Sequence, residues 1–261
     1  MIRGLYTSAS GMVVEQNRND TIANNLANVN TAGYKKDIAA FRAFPEMLIQ
    51  RLNDPEKIPG VNPAGQPVMP NRNPVIGTLG TGAVVDEIFT SHAMGALKQT
   101  GANLDFALGS DGYFVVNTPQ GERYTRNGSF KLDAAGYLVT SEGYQVMGQA
   151  GPIRIQGDKI TVDEGGTVRI DGNEVDTLRV VDFADKRAMT KVGDSLFSGN
   201  GAAAARQVKV LQGYQETSNV NPISEMVNMI TVMRSYEANQ KAVQSHDNLL
   251  GKAVNEVGRI G

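Results

Sequence analysis

Residues 112–148, "GYFVVNTPQGERYTRNGSFKLDAAGYLVTSEGYQVMG", set the fold class. "GYFVVNT" and "GERYT" are two short strands joined by a turn at Thr118 to Gly121. Asn127-Gly128 is a strong hairpin signal, because both residues tolerate the positive φ that tight hairpin turns need. Asp133 to Gly136 and Ser141 to Gly143 supply the next turns. Downstream, "PIRI", "KITV", "TVRI", "TLRVVDF" and "RQVKVLQGY" continue at similar spacing. Short strands at this interval predict a mainly β central domain, an antiparallel meander forming a partly closed barrel.

The two ends of the chain have a different texture. Toward the C-terminus, Met226, Met229, Met233, Tyr236, Gln240, Val243, Asp247, Leu250, Val254 and Val257 step by three and four. This is a heptad seam with polar entries at Gln240 and Asp247. Asn221 reads as its N-cap, Pro222 as the first helical residue, and Glu225 suits the first turn. About 36 residues of helix would extend roughly 54 Å. Near the N-terminus, Leu5, Ala9, Met12, Gln16, Asn19, Ala23 and Leu26 follow the same steps, and Ile2, Val13, Ile22 and Val29 widen the apolar face. Asn28 to Gly33 reads as a helix ending, with Gly33 left-handed. One such seam would be an ordinary surface helix. Two seams flanking a β-rich middle predict helix–helix association, within one chain or between chains.

Between the N-terminal helix and the β region, "IAAFRAFPEMLIQRL" (residues 38–52) reads as a short helix interrupted at Pro45. "DPEKIPGVNPAGQPVMPNRNP" (residues 54–74) holds six of the ten prolines, so it is neither helix nor central strand but an extended connector.

Composition narrows the function classes. The net charge is −2 over 261 residues, which gives no basic field to hold nucleic acid. There is no cysteine, so structural disulfides and cysteine zinc sites are excluded. The first residues contain no signal-peptide apolar run, and no stretch has the length of a membrane-spanning helix. Export, if it occurs, proceeds without a cleaved signal.

No catalytic or metal constellation emerges. His92 and His246 are the only histidines and lack ligand spacing. "GTLGTG" (residues 77–82) is neither a dinucleotide fingerprint nor a phosphate loop. Asp111, Asp133, Asp163 and Asp171 stand near glycines and read as turns. Neither a cofactor nor catalysis is expected. A glycan-binding alternative, a secreted oligomeric β module, would need Tyr113, Tyr124, Tyr137 and Tyr144 to form an exposed aromatic platform.

Four asparagines, Asn24, Asn25, Asn28 and Asn30, crowd the end of the N-terminal helix. Each costs a helix interior roughly half a kcal/mol relative to alanine. A helix ending accounts for Asn28 and Asn30 but less well for Asn24 and Asn25.

"ANNLANVNTAGYKK", "LDFALGSDGYFVV", "YTRNGSFKLDAAGYLVTSEGYQVMG" and "LQGYQETSNVNPISEMVNMI" resemble, in order, motifs of the bacterial flagellar basal-body rod and hook axial proteins, of the FlgF/FlgG type. The resemblance covers nearly the whole chain and is weakest at 37–80. It implies four segments: an N-terminal axial helix (1–36), a helix and Pro-rich connector (37–80), the β-rich domain (81–215) and a C-terminal axial helix (216–261). It also implies that the terminal helices pair as a coiled coil on assembly. The subunit would polymerise with copies of itself and neighbouring rod and hook proteins, transmitting torque from motor to hook. It would reach the basal body through the flagellar type III export apparatus, without inserting in the membrane. The assembly residues expected are Leu5, Met12, Asn24, Asn25, Leu26 and Asn28, with Met226, Met229, Met233, Tyr236, Val243 and Leu250. Asparagine then has a use: it keeps the free helix weak, and neighbouring helices satisfy the amides after assembly.

Overall fold

The computed structural model describes residues 2–44, 46–50, 75–157 and 159–257. The proline-rich connector at 54–74 and Pro45 lie outside these residues. The chain is mainly β, with helix α1 (Ile2–Ala27) at one end and helix α2 (Pro222–Lys252) at the other, the latter followed by a π-helical turn, Ala253–Val257. Two compact units are distinguished. One comprises Met1–Asp20, Ala39–Ile88 and Met229–Gly261, and the other Thr21–Ile38 and Phe89–Asn228.

The larger unit is built on the strand Tyr113–Thr118. Its run "YFVV" is continuously apolar because both faces are covered. Phe114 and Val116 enter one core with Phe106, Phe130 and Leu138. Tyr113 and Val115 point the other way, into a second cluster with Tyr124, Phe183 and Phe197. Strand alternation thus feeds two cores from adjacent residues. Phe114 meets Phe130 edge to face at 5.4 Å.

The expected barrel does not close. Gly121–Thr125 pairs along one edge of Tyr113–Thr118. The other edge is shared end to end: Asn117 and Val116 face Gln145 and Val146, while Phe114 and Tyr113 face Val180 and Val181. The sheet branches there instead of curling. Its end strands, Thr190–Gly193 and Lys131–Leu132, do not meet.

Two local expectations are also corrected. The described residues of the 38–52 segment, 38–44 and 46–50, are not helical. Asp37–Ala43 pairs with Ala83–Thr90, and Glu46–Gln50 pairs with Val75–Gly80. Tertiary pairing outweighs the helix preference of Ala39 and Ala40, as it commonly does for weak propensities. Nor is Asn127-Gly128 a hairpin turn. The Asn127 side-chain oxygen accepts from Ser129 N at 3.0 Å, and the Gly128 carbonyl accepts from Phe106 N at 2.9 Å. The chain crosses over to pair Lys131–Leu132 with Leu138–Val139 instead.

The turns at Asp133 and Asp163 are as expected. Asp133 Oδ1 accepts from Ala135 N and Tyr137 N, and Asp163 Oδ1 accepts from Thr167 N.

Candidate assembly interface

In the smaller unit, α1 and α2 approach antiparallel. Gly4 lies against His246, and Gly11 against Asn239, where an added Cβ would come within 2.9 Å of the Asn239 amide nitrogen. Helical glycine costs about 1 kcal/mol relative to alanine, and here it admits a side chain from the facing helix. Val14 and Val232 are the apolar side chains most deeply buried in this unit's share of the two helices. The Asn221 side chain caps α2 as anticipated, accepting from Ile223 N at 3.1 Å and Ser224 N at 3.2 Å.

The expected seam residues divide. Leu5, Met12, Leu26, Met229, Tyr236, Val243 and Leu250 are half-buried, whereas Met226 and Met233 are each 50% exposed. Ile223, Val227 and Ile230 are exposed as well and were not part of the seam. At 100° per residue they lie on the side of α2 opposite Glu225 and Val232, both buried. The first half of α2 therefore exposes an apolar strip on the side opposite its buried one. Reading a single 3-4 stripe hides this second one, although i, i+4, i+7 spacing carries it. On α1, Tyr6 and Val13, one heptad apart, are exposed too. The strands Glu46–Gln50 and Val75–Gly80 form a two-stranded ribbon exposing Met47, Leu48, Ile49, Ile76 and Leu79. Such a ribbon is marginal alone in water.

The larger unit holds the roots of both helices. Gly33, with φ 66°, ends the turn after α1, and its N–H donates to the Glu216 carbonyl at 2.8 Å. Next to it, the Lys35 ammonium contacts Glu216 Oε1 and donates to Ala93 O at 2.8 Å. Arg126 Nε lies 2.9 Å from Glu216 Oε2, and Gly95 N donates to Oε1. Lys35, Glu216 and Arg126 are all at least 96% buried. Burial pulls the Lys35 ammonium below its ordinary range, and Glu216 offsets part of that.

Three family models match, each on one part of this architecture. The flagella basal body rod protein model matches residues 5–35, the flagellar hook protein FlgE/F/G D1 domain matches 107–170, and the flagellar basal body rod FlgEFG protein C-terminal model matches 211–256. The chain is 36% identical to the flagellar basal-body rod protein FlgG of Borreliella burgdorferi, covering 98% of both chains. The chain belongs to the flagellar basal-body rod protein family. It is also 34% identical to the FlgG of Bacillus subtilis, over 98% of this chain and 99% of that one. The flagellar hook-basal body complex protein FlhO of the same organism is 34% identical over the full length of both.

In this rod protein the asparagine cluster serves the chain itself. Asn25, 2% exposed, donates to Asp37 O at 2.8 Å and accepts from Asp37 N at 2.9 Å. The Tyr34 hydroxyl donates to Asn24 Oδ1 at 2.8 Å, and Asn28 donates to Asn24 O at 2.9 Å. The idea that neighbouring helices satisfy these amides is thus corrected for Asn25, which is spent on holding the chain that leaves the helix. Asn24 is exposed and Asn28 half-buried.

The rod protein offers no exposed aromatic platform at the tyrosines considered. Tyr113 and Tyr124 are 2% and 7% exposed, and Tyr137 and Tyr144 are half-buried. Among the described residues no three His, Cys, Asp or Glu side chains gather as a metal site. No described helix is long and apolar enough to cross a membrane.

Tyr113 OH lies 2.7 Å from His92 Nδ1. Burial and the nearby Lys35, Lys186 and Lys191 push the His92 ring from 6.5 down to about 4. The unfolded chain takes up a proton at His92 near pH 6.5, whereas the folded chain resists it until about 4. Stability from this group is full above pH 6.5 and is lost as pH falls toward 4. The whole shift would equal about 3 kcal/mol, and the partial exposure of the ring reduces that to about 1–2 kcal/mol. His92→Gln is expected to flatten the decline in urea-unfolding free energy between pH 6.5 and 4. An unchanged slope would remove His92 from the account.

Proposed function

We propose that this chain is a structural subunit of the flagellar basal-body rod, that it has no catalytic role, and that it polymerises through its terminal helices. The observation carrying this is the exposed apolar side of α2: the strip Ile223, Val227 and Ile230 with the neighbouring seam methionines Met226 and Met233, all at least 50% exposed along one helix. A contiguous apolar helix face left in water is costly and marks a protein interaction surface. The relatives named as rod proteins support the same reading. We assign the axial layer to residues 1–36 and 216–261, and the outer body to 81–215. Leu5, Met12, Leu26, Met229, Tyr236, Val243 and Leu250 contribute through the α1–α2 pair, which becomes a coiled coil once enclosed by neighbours, and Asn24 and Asn28 contribute beside it. Met226 and Met233 meet the next subunit directly. Neighbouring rod and hook proteins are the other partners. Torque passes along the stacked helices, and the subunit travels through the flagellar type III apparatus, its ends unfolded.

Met233→Asp tests the reading. A charge placed in an apolar contact lacks a partner and is penalised by several kcal/mol. In a strain carrying only this variant, basal bodies should lack a complete rod, while the purified protein keeps its melting temperature, because Met233 is half exposed in the free chain. Normal rods in electron micrographs would refute the assignment.

A further inference from the structure

A cavity of about 340 Å³ opens between α1 and α2 in the smaller unit, lined by Glu15, Gln16 and Asn19 from α1 and Val232, Met233, Tyr236 and Glu237 from α2. Two acceptors one helical turn apart, Glu15 Oε2 and Asn19 Oδ1, are buried with no hydrogen-bond partner. Unsatisfied buried acceptors are rare and cost about 1–3 kcal/mol each, so their presence calls for a donor. The lining specifies its kind. The Glu15 and Asn19 oxygens need N–H donors, the carboxylates of Glu15 and the exposed Glu237 favour positive charge on them, and Val232, Met233 and the Tyr236 ring would cover an aliphatic stem and a planar cation. A guanidinium meets both demands, with five donors in a fixed fork.

The chain carries such a group without an ion-pair partner among the described residues. Arg234 is exposed on α2 and, among the described residues, forms no ion pair. It lies four, seven and eleven residues after Ile230, Val227 and Ile223, in line with the exposed apolar strip. Of the cavity residues on α2, Val232 and Tyr236 lie roughly 160° away around the helix, at the floor, and Met233 and Glu237 roughly 100° and 60° away, at the rim nearer Arg234. We propose that Arg234 of one copy inserts into the Glu15–Asn19–Glu237 cavity of the next. The inference rests on the reading of α2 as an assembly face and names the residue that sets its register. Because Arg234 points away from the cavity floor at Val232 and Tyr236, the arginine of one copy meets the cavity of another through a different patch, and the contact is heterologous. Repeated from copy to copy, it extends an open helical stack instead of closing a dimer.

Charge reversal tests this in strains whose rod gene is replaced by each full-length variant. Arg234→Glu should cut the number of complete rods at least ~tenfold, since it sets a carboxylate against the carboxylates of the cavity. Lys241→Glu, the same charge change two turns further along α2, should assemble normally. Glu15→Arg should fail like Arg234→Glu, and the double variant Arg234→Glu/Glu15→Arg should recover. If circular dichroism shows Glu15→Arg to be misfolded, the exposed Glu237→Arg replaces it in the pair. Normal rods in Arg234→Glu, or no recovery in the folded double variant, overturns the proposal. Ile230→Asp separates the levels. If it blocks assembly while Arg234→Glu does not, only the arginine contact is wrong. If Ile230→Asp also builds normal rods, the assembly face itself is wrong.

Discussion

Glu216→Ala is expected to lower the unfolding free energy by about 3–5 kcal/mol, the range for breaking a buried ion pair from one side. The carboxylate sits between two cations, Lys35 and Arg126, with side-chain exposures of 1% and 4%. Removing it strands both positive charges away from water and leaves Gly95 N without its acceptor. The loss would be read as a fall in the urea midpoint at unchanged slope. Glu122→Ala is the internal comparison. Glu122 pairs with Arg179 at 2.7 Å, but both side chains are at least 40% exposed, so its loss should stay within about 1 kcal/mol. Equal effects of the two substitutions would mean that burial does not govern the Glu216 contact.

Gly128→Ala comes next in size. A Cβ at Gly128 would overlap the Phe106 carbonyl oxygen, a backbone atom of a fully buried strand that cannot swing aside. The same two residues are joined by the Phe106 N–H donating to Gly128 O, so any shift also stretches a ladder-like hydrogen bond. Overpacking of this kind falls at the upper end of its usual range, about 3 kcal/mol. Gly143→Ala supplies the contrast. Gly143 has φ 94° but nothing within 4 Å of an added Cβ, so it should show only conformational strain, about 1 kcal/mol. A smaller loss at Gly128 than at Gly143 would place the constraint in backbone torsion and not in space.

These two positions show where the sequence was readable. Turns that satisfy themselves locally, at Asp133 and Asp163, were visible from residue type, as were the left-handed Gly33 and the Asn221 cap. Asn127-Gly128 has the composition of a hairpin, yet its geometry is set by Phe106, about twenty positions earlier, which no local pattern reveals. Asp37–Ala43 and Glu46–Gln50 became strand because Ala83–Thr90 and Val75–Gly80 offer them edges. Those pairings are long-range, so propensity alone could not report them. The two terminal helices were legible because a 3-4 repeat is written along one segment. The strip bearing Ile223, Val227 and Ile230 follows the same rule but was obscured by the stronger methionine stripe beside it. The Lys35–Glu216–Arg126 cluster gave no signal at all, since lysine, arginine and glutamate are ordinarily surface residues and burial is the one feature that sets these apart.

The fastening at Glu216 has a mechanical corollary. The segment leaving α1 and the strand entering α2 are tied to one carboxylate, which is anchored in turn to Arg126 of the sheet. Traction on either helical root therefore bears on the same ionic knot. Under load the body should yield as one piece, holding both handles until the knot gives and then releasing them together.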